Sequence, residues 1–365
     1  MLLELTALTL AGIHFGVPLA YYYYAKTRWL PKPWNIKVDE NYRPKVTIIL
    51  PTYNEEKIIE ERLENIYNQT YPKEQIEIIV VDSSIDKTPE IVEKWHKNHK
   101  DIKVNLVREK ERRGKVFALN EALKHANNDI VIIADADAFW PENAVSETVK
   151  WFSDPTVGAV SCLKKPTDIG LLGTEEGYRN YYNILRLAES KAYSTPIFHG
   201  ELAAFRKELL LKVNGFPTDI GSDDSHTATE IASIGYRSIT PEIWVNEKVP
   251  KEDYTRWKIR RAQHLIQHFM KATKLRIKNK TFKKILVTET YLHVINPWFL
   301  LTATILLIVE VLLFNLLISL ILSFVGSILL LIKGYRTWLM QQIYLMIAAI
   351  RNINTKEIAW SKQEK

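Results

Sequence analysis

Four short apolar runs, rich in β-branched residues and closed off by polar or turn-forming residues, punctuate the first third of the chain. They are KVTIILP at 45–51, IEIIVVD at 76–82, IKVNLV at 102–107 and IVIIAD at 130–135, and the pattern predicts strands. Helix-like stretches lie between them at 55–68, 88–99 and 116–126. The alternation predicts an α/β domain whose sheet is mostly parallel with helices on both faces. Ligands of such sheets bind beyond the carboxyl ends of the strands. That rule singles out Pro51-Thr52-Tyr53-Asn54-Glu55, Asp82-Ser83-Ser84 and Asp135-Ala136-Asp137, each directly after a predicted strand.

Longer apolar segments lie outside this region. Residues 5–25 contain no Lys, Arg, Asp or Glu, and as a helix they would span about 31 Å, one bilayer core. The chain opens Met1-Leu2-Leu3-Glu4, without a positive start, and the segment closes on Tyr21 to Tyr24. Both features predict an uncleaved anchor with an interfacial aromatic belt. His14 inside it reads as a neutral histidine facing a neighbouring helix. The block 298–332 holds one charge, Glu310, and as a single helix would reach about 50 Å, so it predicts a hairpin of two spans turning near 310–315. Its first span borrows 291–297. Residues 338–350 are apolar but short before Arg351, which predicts an interfacial helix in preference to a further span. Lys26, Arg28, Lys32 and Lys37 follow the first span, and Lys333 and Arg336 the third. The positive-inside rule then predicts a multi-pass protein of the cell membrane with its soluble region and C-terminus in the cytoplasm.

Composition alters this picture in one respect. The chain is 47% hydrophobic and 25% charged, and its mean hydropathy of -0.14 averages over a very uneven distribution. A net charge of +7 favours an anionic partner: nucleic acid, lipid head groups or a phosphorylated substrate. Eleven basic residues and no acidic one lie between Tyr254 and Lys284. Ala262, Leu265, Ile266, Phe269 and Met270 recur there at helical spacing, as expected of an amphipathic helix lying on membrane lipids. Its place before the hairpin favours that reading over a nucleic-acid groove, and no nucleic-acid partner is expected. The single cysteine, Cys162, sits in an apolar run and reads as a buried hydrophobe. Neither G-x-G-x-x-G nor a P-loop is present, which leaves dinucleotide and P-loop NTPase readings without support.

The expected organisation is an anchor at 1–28, a catalytic domain at 40–250, a basic amphipathic segment at 251–289, a hairpin at 290–333, and an interfacial helix with cytoplasmic tail at 334–365. Within the catalytic domain, Asp135 and Asp137 suit a hard divalent cation with open positions for phosphate oxygens; the competing reading is a turn before the helix begun by Pro141-Glu142. Arg112-Arg113-Gly114-Lys115 precedes a helix and is either an anion dock or a solvated basic turn. Asp223-Asp224 opens the helix-like stretch to 234, so Asp224 is either a helix cap or a general base.

Together these residues resemble the family 2 glycosyltransferases of GT-A fold, a Rossmann-like domain, especially the membrane-bound polysaccharide synthases such as cellulose and hyaluronan synthases. The resemblance covers about 46–261. Pro51-Thr52-Tyr53-Asn54-Glu55 resembles the opening nucleotide-binding motif, Arg113-Gly114-Lys115 with Ala118-Leu119-Asn120 the middle motif, and Asp135-Ala136-Asp137 the metal-binding D-x-D. His199-Gly200-Glu201 to Arg206, followed by Asn214-Gly215-Phe216, resembles the acceptor-side strand and its sequel. Asp223-Asp224 resembles the acidic pair whose second member is the catalytic base.

The resemblance implies nucleotide-sugar contacts from Pro51, Tyr53, Glu55, Asp82, Lys115, Asp135 and Arg261. It implies a divalent metal, Mg2+ or Mn2+, on Asp137 and Asp135, and acceptor contacts from His199, Gly200, Glu201, Asp223 and Trp257, with Asp224 as base. The implied reaction is inverting transfer from a nucleoside diphosphate sugar to a membrane-associated saccharide or lipid-linked acceptor. Two departures matter. Asp82-Ser83-Ser84 keeps only the first acid of the family's pair, leaving one carboxylate for the base. Lys258-Ile259-Arg260-Arg261-Ala262 keeps the arginine of the processive Q-x-x-R-W signature but has Lys for Gln and Ala262 for Trp. Without that stacking platform, the expected products carry one or few added sugars. A transferase acting on a polyprenyl phosphate and an inactive membrane scaffold that binds anionic lipid are the alternatives.

Overall fold

The computed structural model describes residues 2–167, 174–247, 249–250, 253–314 and 317–355. The chain enters through helix α1 (Leu2–Tyr24), extended by one π turn to Trp29, and then builds β1 (Val46–Thr52), α2 (Ile59–Tyr67), β2 (Ile76–Asp82), α3 (Thr88–Asn98), β3 (Lys103–Arg108), α4 (Lys115–His125) and β4 (Ile130–Ile133). These are the expected alternating elements, displaced by a few residues at their ends. Next come α5 (Ala144–Val149), β5 (Val157–Ser161), β6 (Leu163–Pro166), α6 (Thr174–Ala192), β7 (Ala203–Arg206), α7 (Lys207–Lys212), α8 (Asp223–Ser233), β8 (Arg237–Ile239) and β9 (Trp244–Glu247). Helices α9 (Tyr254–Ala272), α10 (Lys280–Thr290), α11 (Asn296–Phe314), α12 (Leu317–Leu329) and α13 (Lys333–Asn354) close the chain.

Seven strands form one sheet in the order β3-β2-β1-β4-β7-β5-β8, with β6 and β9 paired beside it. Only β7 runs antiparallel, against β4 and β5. The strands read as continuous apolar runs because both faces are covered. Ile48, Leu50, Ile78 and Val80 pack toward Leu63 and Trp95 on one side, while Ile49, Ile79, Val81 and Ile133 pack toward Leu119 and Ile231 on the other. Cys162 is fully buried, as expected. In-register pairing of β1 with β2, from Val46 opposite Ile76 to Thr52 opposite Asp82, brings their carboxyl ends level. The two loops that follow therefore lie side by side.

Among the described residues, two continuous helical segments, Leu3–Trp29 and Lys280–Leu313, are long and apolar enough to cross a membrane. A third candidate exists only if Leu320–Leu329 and Lys333–Asn354, bent by 103° at their junction, count together. Helix α12 has 13 residues and spans about 20 Å, short of the roughly 30 Å of a bilayer core. Of the expected hairpin turn at 310–315, Glu310 to Phe314 continue α11 instead, and Asn315 lies outside the described residues. His14 is buried as expected: Trp338 Nε1 donates to its Nε2 at 2.8 Å, and its Nδ1 lies 2.9 Å from the Asn296 carbonyl oxygen. The two contacts select a neutral ring whose Nδ1–H donates to that carbonyl.

The basic helix α9 exists, but its surroundings differ from the expected interfacial ones. Ile259, Ala262 and Ile266 pack on Tyr344, Leu345 and Ala348 of α13, and Phe269 and Ala272 pack beside Ile197 and Leu286. Apart from the exposed Met270, its apolar stripe therefore faces protein. Lys258 and Arg260 are buried as well, and Glu175 from a distant part of the chain compensates the charge of Lys258.

Candidate active site

The site is assembled where β1, β2 and β4 end and where the segment before β7 returns across the sheet. Half-buried Asp135 and Asp137 follow β4, separated by the buried Ala136. Lys115 opens α4 behind Gly114, whose φ of 109° suits glycine, and its Nζ lies 2.7 Å from Asp135 Oδ1 and 3.7 Å from Asp223 Oδ2. Burial works against the Lys115 ammonium, but Asp135, Asp223 and Asp224 outweigh it and hold its pKa above the ordinary lysine range.

Gly200 is the point of convergence. A Cβ there would come within 2.8 Å of Lys115 Nζ, 3.5 Å of Asp224 Oδ2 and 3.6 Å of Asp135 Oδ2. A glycine lets one cation and two carboxylates approach a single point of backbone. Asp223 and Asp224 begin α8, and Ser225 N donates to Asp224 Oδ1 at 2.6 Å. Burial first, and the neighbouring Asp223 second, push the Asp224 carboxyl up to about 7, against the pull of Lys115. A carboxylate so placed can take a proton near neutral pH. Asp223 Oδ2 is buried without a hydrogen bond, which leaves an acceptor facing the same space.

The middle motif and the glycine turn after β7 clamp one another. Asn120 Nδ2 donates to the Phe216 carbonyl at 2.9 Å, and Phe216 N donates to Asn120 Oδ1 at 2.8 Å. Gly215, at φ 78°, leaves no room for a Cβ, which would lie 2.4 Å from Asn120 Oδ1. On the nucleotide side, Arg112 stacks over the Tyr53 ring at 3.8 Å, Glu55 N donates to Thr88 Oγ1, and half-buried Pro51 lies in β1. Asp82 departs from expectation. It is fully buried, accepts from Thr52 Oγ1, Ser84 N and Ser84 Oγ, and pairs with Arg108 at 2.9 Å. In this arrangement its carboxylate ties two loops together and is not open to a base.

A cavity of about 160 Å³ joins Lys115, Asp135, Asp223 and Asp224 to His199, Gly200, Glu201, Trp257 and Arg261. Apart from Asp137 and the β1–β2 loops, the expected site residues share this one space. Trp257 lines it with the Arg261 guanidinium over its ring at 4.7 Å, and the His199 imidazole is held well below its usual pKa by burial and then by Lys164.

The pattern along the chain did not reveal the ion network behind the cavity. Glu247 at the end of β9 meets Lys164 at 3.0 Å, Arg179 at 2.7 Å and Arg261, and Glu175 meets Arg179 and Lys258, both at 2.9 Å. Lys164 also pairs with Glu201 at 2.5 Å. Burial opposes ionisation of Glu201, but Lys164 and Arg261 overcome it and hold the carboxyl near 2. Arg62 was missed too. It is buried over the Trp140 ring at 4.2 Å and interacts with Asp135 and Asp137, offsetting the acidic pair from behind. Breaking a buried ion pair from one side costs about 3 to 5 kcal/mol. Glu247→Gln, which strips charge from the partner of three cations, is expected to destabilise by that amount, read as a lowered unfolding midpoint in detergent; an unchanged midpoint would contradict the network's role.

Residues 47–213 match the model of glycosyl transferase family 2. Among solved structures, the mannosyltransferase PcManGT from Pyrobaculum calidifontis, in complex with GDP-Man and Mn2+, is 52% identical, with 96% of this chain and 99% of that one covered and a TM-score of 0.89. The chain belongs to glycosyl transferase family 2. It is thus a glycosyltransferase of GT-A fold, as the motifs implied. The poly-beta-1,6-N-acetyl-D-glucosamine synthase of Staphylococcus aureus strain COL is 31% identical over 233 residues, 62% of this chain and 55% of that protein. The glycosyltransferase spans about half the length of the curated relatives it matches. S. aureus TarS 1-349 in complex with UDP-GlcNAc, at 16% identity, TM-score 0.52 and coverage of 85% and 92%, shares the fold.

Proposed function

We propose that this glycosyltransferase moves a sugar from a nucleoside diphosphate sugar to a membrane-associated saccharide or lipid-linked acceptor, in one inverting displacement at the cytoplasmic face. The observation that carries the reading is the meeting of Lys115, Asp135 and Asp224 around Gly200, beyond the strand ends. Asp224 takes the proton of an acceptor hydroxyl as its oxygen attacks the anomeric carbon. The new C–O bond forms opposite the breaking bond to the diphosphate, so configuration inverts without a covalent intermediate. Lys115 and Arg261 offset charge on the departing diphosphate, and the Tyr53–Arg112 stack with the Glu55 loop walls the nucleotide.

The donor set fits a divalent cation. Asp135 and Asp137 are two hard oxygen ligands one residue apart, and no cluster of three or more His, Cys, Asp or Glu able to hold a metal occurs among the described residues. Diphosphate oxygens and water would complete the shell. Mg2+ or Mn2+ held chiefly by Asp137 would supply Lewis-acid stabilisation of the leaving diphosphate. The 52% identical relative, solved with GDP-Man and Mn2+, supports GDP-mannose as the donor. The candidate spans and the cations at Lys26, Arg28, Lys333 and Arg336 support a multi-pass membrane location with the domain in the cytoplasm.

Incubating the detergent-purified protein with labelled GDP-mannose, Mn2+ and a membrane extract tests donor and product length together. The expected result is GDP release and products lengthened by one or few mannoses, because Ala262 stands where processive relatives carry tryptophan. Long polymers would refute limited addition, and their loss in Trp257→Ala would move the platform to Trp257. Absence of release with any nucleotide sugar would overturn the donor reading.

A further inference from the structure

A second cavity, of about 460 Å³, lies between the start of α6 and the start of α13, lined by Tyr178, Tyr181, Tyr182, Trp338 and Gln341 among others. Tyr178, Tyr182 and Gln341 also line the catalytic cavity, so the two spaces share a wall. The outer cavity is tied to the first candidate span. Tyr181 stacks on Tyr22 at 4.8 Å, Trp338 donates to His14, and Tyr335 lies 5.8 Å from Phe15. Lys333, paired with Glu176 at 3.8 Å, stands at its edge, where the chain bends by 103° from α12 into α13. Gly177 and Gly334 face open space, since a Cβ at either meets nothing within 4 Å. This space therefore adjoins a candidate membrane helix on one side and the catalytic cavity on the other.

Charge identifies the occupant. Beyond the shared wall, the half of the catalytic cavity away from Asp135 is lined by Lys164, Arg179, Arg186, Lys258 and Arg261, with Glu201 as the opposing carboxylate. Glu175 and Glu247, which balance four of these cations, and Glu189 and Glu289, which pair with Arg186, stand behind the lining. Cations compensated from behind present their remaining donors forward, an arrangement suited to phosphate. We propose that the groove between α6 and α13 is a lateral portal for the acceptor, and that this acceptor is a lipid-linked saccharide with a phosphate in its headgroup, the sugar hydroxyl beyond that phosphate being the group that attacks. The tail lies in the groove among Tyr181, Trp338 and the two glycines, and the headgroup reaches past Tyr178 and Tyr182 to Lys258 and Arg179. The proposal rests on the transferase reading above and narrows its acceptor.

The test uses a photoactivatable polyprenyl phosphate in phosphatidylcholine vesicles holding the full-length protein, with the matching polyprenol as the uncharged control. Crosslinks are expected in the peptides of α6 and α13, with the phosphate labelling about ten-fold more than the alcohol, the scale of one charged hydrogen bond. Gly177→Trp, and independently Gly334→Phe, should fill the groove and remove that labelling while leaving unchanged the slow Mn2+-dependent hydrolysis of the nucleotide sugar by water, measured without lipid acceptor, which also certifies their folding. Equal labelling by phosphate and alcohol, or labelling that survives both substitutions, would overturn the portal and leave the transferase reading standing. Loss of diphosphate release in the wild type would overturn the transferase reading, and the inference with it.

Discussion

Asp224→Asn is expected to lower transfer by about 10²- to 10⁴-fold, the usual worth of a general base, while leaving nucleoside diphosphate affinity unchanged. The asparagine keeps an oxygen for the Ser225 amide that now lies 2.6 Å from Asp224 Oδ1, so the start of α8 should hold. Donor groups on β1, β4 and α4 are untouched. Isothermal calorimetry with nucleoside diphosphate beside a transfer assay separates the two effects, and equal loss in both would recast Asp224 as structural. Transfer that survives the substitution would mean that the attacking atom is an already ionised phosphate oxygen, which needs no base.

The pH dependence follows from the same carboxyl, raised to about 7. Activity should fall as pH drops through about 7, or somewhat lower once a bound cation adds positive charge. Stability runs the other way. An unfolded aspartate titrates near 3.9, so between about pH 4 and 7 the folded chain binds more protons at this position than the unfolded chain. Its contribution to stability is therefore lost as pH rises across that window. Asp224→Asn should remove that slope, which thermal unfolding at pH 5 and pH 8 would read.

The parts of this fold legible in the sequence are those whose partners lie nearby or whose burial is purely apolar. The strands at β1, β2 and β4 announce themselves because both faces are covered by helices, and Asp135 and Asp137 are found because they end such a strand. Helix α6 had no such signal. Its Arg179, Arg186 and Glu189 are buried, so a polarity pattern gives no apolar face to find. Glu175 and Glu189 pair with the two arginines inside the helix, but their second partners, Glu247 for Arg179 and Glu289 for Arg186, arrive only when the chain returns. The same blindness explains α9: the eleven cations that run from it into α10 without an acid among them read as a surface, whereas Lys258 is balanced by Glu175 from α6 and Arg261 by Glu247 from β9. Asp82 was legible as a loop residue, but its closure by Arg108 depends on the β2–β3 register that sets Asp82 opposite Arg108.

Asp137→Asn should be the cleanest disruption of the donor side, because the two acids of the D-x-D are not equivalent here. Asp135 holds Lys115 at 2.7 Å, and Lys115 in turn helps set the charge around Asp223 and Asp224, so Asp135→Asn would disturb metal, leaving-group and base chemistry together. Asp137 interacts with the buried Arg62 behind the pair, and the amide keeps its shape while removing its charge. Lewis-acid stabilisation of a leaving diphosphate is worth several kcal/mol, and each 1.36 kcal/mol is ten-fold in rate. Turnover should therefore fall by about 10²- to 10⁴-fold, with the Mn2+ concentration for half-maximal activity moving upward. Electron paramagnetic resonance of Mn2+ in the presence of nucleoside diphosphate supplies a readout independent of turnover and should show weaker binding. A folded variant with unchanged activity and an unchanged Mn2+ titration would remove Asp137 from the metal site, and the charge on the leaving group would then have to be met by Lys115 and Arg261 alone.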